Sequence, residues 1–193
     1  MIEWLSLLGT SVGLGAGAGL NSYATLLVFG LISRLRPELF PSDAATFFAT
    51  TPVLIVLGVL YTAEFVADKI PTFDHVWDAI HTFIRPVAGA FVAIAATSPE
   101  LPKGAVIFAG VLAGGTALGG HLTKASIRAA STATTAGTAN PILSVIEDLL
   151  AVIQVIIGIF LPIIMLILAI LFVIPAVLLL RRWLRRRAQQ QLT

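Results

Sequence analysis

Glu64, Asp68, Lys69, Asp74, Asp78, His81 and Arg85 crowd into one short stretch of a chain that is otherwise strongly apolar. Carboxylates and an imidazole in a partly dry setting can pass protons or hold cations, because dehydration and neighbouring charge move their titration into the working range. If the segment after Pro71 is helical, Asp74, Asp78, His81 and Arg85 recur at steps of four, three and four and share one face. Helix physics accounts for part of this: Pro71 suits a helix start, and the macrodipole favours carboxylates in the first turns. Three readings stay open: a transport-linked proton or cation relay, a set of structural salt bridges, and a metal site. The metal reading is the weakest. It rests on the i, i+3 spacing of Asp78 and His81 with His75 nearby, and such spacing without thiolates is not diagnostic.

A basic stripe answers the acidic one in the second half. His121, Lys124 and Arg128 stand at steps of three and four, and Glu147 and Asp148 follow Pro141. The acids Glu64, Asp68, Asp74, Asp78, Glu147 and Asp148 could therefore meet Lys69, Arg85, Lys124 and Arg128 inside. Mutual neutralisation is one account, and an anion held by Lys124 and Arg128 is the sharper alternative. The glycine series Gly13, Gly15, Gly17, Gly19 and Gly110, Gly114, Gly115, Gly119 let helix backbones approach closely. The other reading of the first series is a broken helix whose exposed backbone coordinates an ion, with Asn21, Ser22 and Tyr23 directly after it. Ser131 to Asn140 is rich in small hydroxyl residues and reads as a loop. Were it to dip inward, Asn140 and its hydroxyls would line a polar path.

The elements that must position these residues are helices in a bilayer. The chain is 58% hydrophobic and 11% charged, far more apolar than the roughly 45–50% of a soluble domain. Its 193 residues hold about six spans of roughly 20 residues. The apolar runs predict helices over Leu5–Ile32, Pro52–Ala67, Phe73–Ala96, Gly104–Ala130, Pro141–Leu161 and Ile163–Leu180, with Pro162 dividing the last two or kinking a single helix. The expectation is an all-α, polytopic integral membrane protein: one transmembrane domain over residues 1–180 and a basic cytoplasmic tail over 181–193. Leu14 to Thr25 (LGAGAGLNSYAT) can be set on Leu112 to Thr123 (LAGGTALGGHLT), and PVLIVL from Pro52 on PILSVI from Pro141. That points to a 3+3 inverted repeat, residues 5–97 and 104–180, with broken or kinked helices.

Arg181, Arg182, Arg185, Arg186 and Arg187 supply five of the twelve basic residues and mark a cytoplasmic C-terminus, with Trp183 at interface depth. Six spans then put the N-terminus inside and Arg34 and Arg36 outside. The start carries Glu3 and no early basic residue, so it reads as a retained first helix rather than a cleaved signal. With no cysteine, disulfides and thiolate metal sites are excluded. No nucleophile elbow, phosphate-binding lysine loop or zinc-protease motif occurs, so the chain does not read as an enzyme.

Gly19 to Leu27 (GLNSYATLL), Glu64 to Ala90 (EFVADKIPTFDHVWDAIHTFIRPVAGA) and Ala139 to Asp148 (ANPILSVIED) resemble the bacterial membrane-protein family catalogued as domain of unknown function 4126. The middle motif is the specific one. The resemblance implies a small polytopic helical protein of a bacterial cytoplasmic membrane and brings no substrate or reaction with it.

The leading expectation is a small transporter or permease, a homodimer in one version. Asn21, Tyr23, Glu64, Asp68, Asp74, Asp78, His81, Arg85, His121, Lys124, Arg128, Asn140, Glu147 and Asp148 would line the site. Its partners would be membrane lipids and a small ion or anionic substrate, with no nucleic acid, resident metal or cofactor. One alternative is a lipid or polyprenyl-phosphate translocase that meets the headgroup with Lys124 and Arg128. The other is a scaffold whose charges saturate one another.

Overall fold

The computed structural model describes residues 2–68 and 71–190; the side chains of 71–78, 179, 180, 183 and 186–190 lie outside the description. The described chain is all-helical: α1 Ile2–Leu20, α2 Ser22–Leu35, α3 Asp43–Phe48, α4 Thr51–Ala67, α5 Pro71–Ala95, α6 Lys103–Thr135, α7 Asn140–Phe160 and α8 Pro162–Gln190, with a 3-10 turn at Pro37–Leu39. By length and composition α6 and α7 are long and apolar enough to cross a membrane.

Helix α1 is the axis of the bundle, packed by α5, α6, α7 and α8. Its glycines permit this. A Cβ on Gly13 would lie 2.5 Å from Cα of Gly158 in α7, and one on Gly19 would lie 2.5 Å from the Ala117 carbonyl oxygen in α6. Gly110 and Gly114 bring α6 equally close to Ile94 and Pro86 of α5, whereas Gly115 and Gly119, expected to do the same, face open space. Large apolar side chains cover the outside, among them Phe83, Phe91, Ile107, Val111 and Phe172. In water such a surface would aggregate.

The expected single helix over Leu5–Ile32 is two. Asn21 adopts an extended conformation (φ −149°, ψ 108°) and its side-chain oxygen accepts from the Ala24 amide at 2.8 Å, capping α2. One non-helical residue turns the chain back on itself. Thr25 lies against Gly17, and Phe29 of α2 shares the apolar core with Leu14 of α1, Val92 of α5 and Val155 of α7. Small residues and a polar cap, rather than a proline, make this break. Pro162 does divide the last run: α7 ends at Phe160, Leu161 leaves the helix (φ −135°, ψ 53°) and α8 starts at Pro162.

Two further expectations are corrected. Gly15 faces Ala113 and Gly19 faces Ala117, so α1 and α6 run parallel, and the inverted relation expected of the matched segments does not hold for this pair. Ser131 to Thr135 is not loop but the end of α6, its Thr134 and Thr135 hydroxyls donating back to the Ala130 and Ser131 carbonyls. The chain then turns through left-handed Ala136 (φ 52°) and Gly137 (φ 82°). The arginine segment lies within α8, which continues to Gln190.

Candidate functional site

Where α1 breaks, its last carbonyls lose their helical partners, since the Ala24 amide that would serve Leu20 is taken by the Asn21 side chain. Two buried cations serve them instead. Arg85 Nη1 of α5 donates to the Gly19 carbonyl at 2.8 Å, and Lys124 Nζ of α6 donates to the Leu20 carbonyl at 3.1 Å. Positive charge at a helix C-terminus is favoured by the macrodipole. Asn21 Nδ2 in turn donates to Asp148 Oδ1 of α7 at 2.8 Å. Three successive residues thus reach three different helices.

The carboxylates close around these cations. Glu64, in the last turn of α4, takes Arg85 Nη2 at 3.1 Å on Oε1, and the same oxygen is 3.7 Å from His81 Nε2. Glu64, His81 and Arg85 are fully buried (0% exposed), and Tyr23 of α2 meets the His81 ring edge-on at 5.6 Å. Asp68, which caps α4, accepts from Lys124 Nζ at 3.1 Å and Arg128 Nη2 at 2.9 Å, both on Oδ2. Glu147 of α7 completes the group at 2.7 Å from Arg128 and 3.3 Å from Lys124. His121 Nε2 pairs with the Thr82 hydroxyl at 3.0 Å.

Of the residues expected in the site, Asn21, Tyr23, Glu64, Asp68, His81, Arg85, His121, Lys124, Arg128, Glu147 and Asp148 therefore meet at one end of the bundle. Asn140 stands apart, its amide donating to Thr132 at 3.1 Å within the α6–α7 connection. Lys69 and the side chains of Asp74, Asp78 and His75 lie outside the described residues. The carbonyls of Gly19 and Leu20 belong to the site and carried no signal of their own in the sequence. Thr82 was also missed; its one mark was adjacency to His81.

Among the described residues of this cluster, three cations (Arg85, Lys124, Arg128) face four carboxylates (Glu64, Asp68, Glu147, Asp148), all buried. Glu64 Oε2 and Asp68 Oδ1 are buried with no hydrogen-bond partner among the described residues. Burial without a partner costs a charged oxygen several kcal/mol. A proton or a cation at either oxygen would offset that cost.

At the other end of α1 lies a cavity of about 720 Å³. Its lining includes Glu3, Glu100, Ser98, Trp4, Phe40 and Pro162, and among the described residues it holds two carboxylates and no basic side chain. The core around Leu14, Phe29, Val92 and Val155 separates it from the ionic cluster.

The family described as domain of unknown function (DUF4126) matches residues 8–182, and the chain belongs to it. No curated protein and no solved structure matches.

Proposed function

We propose that this member of the family is a small integral membrane transporter whose path follows α1 and whose ionic cluster handles protons or monovalent cations. The observation that carries the reading is the break at Asn21, where Arg85 of α5 and Lys124 of α6 meet released backbone carbonyls, Asp148 of α7 takes the Asn21 amide, and Glu64 Oε2 and Asp68 Oδ1 at the end of α4 have no hydrogen-bond partner among the described residues. Helix breaks at membrane depth are tolerated where they line a path or a site. The acidic cavity at the far end of α1 serves as the vestibule, and its Glu3 and Glu100 carboxylates favour cations. In this state the apolar core closes the path between the two. The apolar exterior supports the lipid setting, and the exposed Arg181, Arg182 and Arg185 on α8 face the cytoplasm under the positive-inside rule.

The same pairing argues against lipid-headgroup translocation. Arg85, Lys124 and Arg128 each already sit against a carboxylate, so a phosphate would have to displace a buried ion pair.

Purified protein in liposomes, with a trapped pH-sensitive dye and a valinomycin-driven potassium potential, tests the proposal. Proton entry, or dye-reported exchange of protons for Na⁺ or K⁺, exceeds the protein-free rate, and Glu64→Gln and Asp68→Asn return it to that rate while staying folded. Protein-free rates for the unmodified protein under the potassium potential and, without valinomycin, under a Na⁺ and a K⁺ gradient, or full rates in both variants, overturn it.

A further inference from the structure

The ammonium of Lys124 occupies a small oxygen cage. Its Nζ is 3.1 Å from the Leu20 carbonyl, 3.1 Å from Asp68 Oδ2 and 3.3 Å from Glu147 Oε2. The three oxygens come from the cut end of α1, the cap of α4 and the first turns of α7. A released carbonyl beside carboxylates is how broken membrane helices hold a dehydrated monovalent cation, and an ammonium ion is close to K⁺ in size. Lys124 is 1% exposed, so its ammonium meets these oxygens away from water. The other oxygen of that carboxylate, Asp68 Oδ1, is buried without a hydrogen-bond partner among the described residues, while Oδ2 carries both Lys124 and Arg128.

We propose that these oxygens form a monovalent-cation site whose occupant in this state is the chain's own Lys124 ammonium, and that withdrawing this side chain opens the site to a free K⁺ or NH₄⁺ ion. The lysine acts as a tethered ion. The Lys124 ammonium and a free cation exclude one another, because both need the Leu20 carbonyl and the Asp68 carboxylate. The inference goes beyond the transport reading and does not need flux.

Thermal unfolding of the purified protein in chloride salts of choline, K⁺ and NH₄⁺ at one ionic strength tests it. The unmodified protein, with the Lys124 ammonium in the cage, gains less in K⁺ or NH₄⁺ than the Lys124→Ala variant does. Lys124→Ala melts lower in choline, which is too large for the cage, and gains about 2–4 °C in K⁺ or NH₄⁺ with saturable concentration dependence. The double variant Lys124→Ala, Asp68→Asn gains nothing. Equal melting of Lys124→Ala in all three salts overturns the proposal, as does a gain that survives Asp68→Asn. If the alanine variant does not accumulate in any of the salts, Lys124→Met, which keeps much of the side chain's volume and leaves the Leu20 carbonyl and the Asp68 carboxylate free, decides between the same two outcomes. Absent flux in liposomes would leave these melting results untouched, so the two readings fail separately.

Discussion

Asn21 uses both ends of one amide: the oxygen caps α2 through the Ala24 amide and the nitrogen donates to Asp148. The two jobs separate by substitution. Asn21→Ser keeps a capping oxygen and loses the reach to Asp148, a hydrogen bond to a charged group and so about 1.5–3 kcal/mol. Asn21→Ala loses the cap as well, a further 0.5–2 kcal/mol or so. Thermal melting in detergent should rank the proteins unmodified, serine, alanine; an alanine variant as stable as the serine one would show that the cap contributes nothing. At this scale much was legible in the sequence. The helical spacing of His81 and Arg85, and of His121, Lys124 and Arg128, marked side chains that do share inner faces, because an intramembrane charge has nowhere else to point. The backbone partners were not legible, since every residue carries a carbonyl and only the fold says which ones are released.

At the level of elements, the glycines divide into those that hold helices together and those that do not. Gly13→Val should drive a side chain into the Gly158 backbone and cost roughly 1–3 kcal/mol or more, since backbone cannot yield as a side chain can. Gly58 in α4 has nothing within 4 Å of the place a methyl group would take, so Gly58→Ala should be neutral or stabilise by about 0.5–1 kcal/mol through helix propensity. Denaturation of both variants under one condition reads the contrast, and similar losses would refute the packing assignment. Pattern alone found the outer bounds of most helices but not the split in Leu5–Ile32. A helix with its apolar periodicity intact on both sides of a single extended residue looks continuous to any periodicity argument. The glycine series before Asn21 offered the break only as an alternative, and the turn itself shows in the Asn21 cap and in the packing of Phe29 against Leu14. The parallel run of α1 and α6 was hidden for a related reason: small residues match in either direction.

For the molecule as a whole, the barrier between the acidic cavity and the ionic cluster is made of few side chains. Leu14 is fully buried at its centre. Leu14→Ala should cost about 2–5 kcal/mol of stability and raise proton or cation leak in the liposome assay; a folded variant with unchanged flux would place the barrier elsewhere. Composition alone announced an apolar exterior, whereas the cavity beside Glu3 and Glu100 joins residues nearly a hundred positions apart and left no local trace. The hub at residues 19–21 has a mechanical consequence. Gly19 is held by α5, Leu20 by α6 and Asn21 by α7, all within one turn of chain. A tilt of the first helix cannot loosen one grip and spare the others. The bundle is therefore wired as a latch that lets go all at once, and its response to load should be steep and sigmoidal even in a single copy.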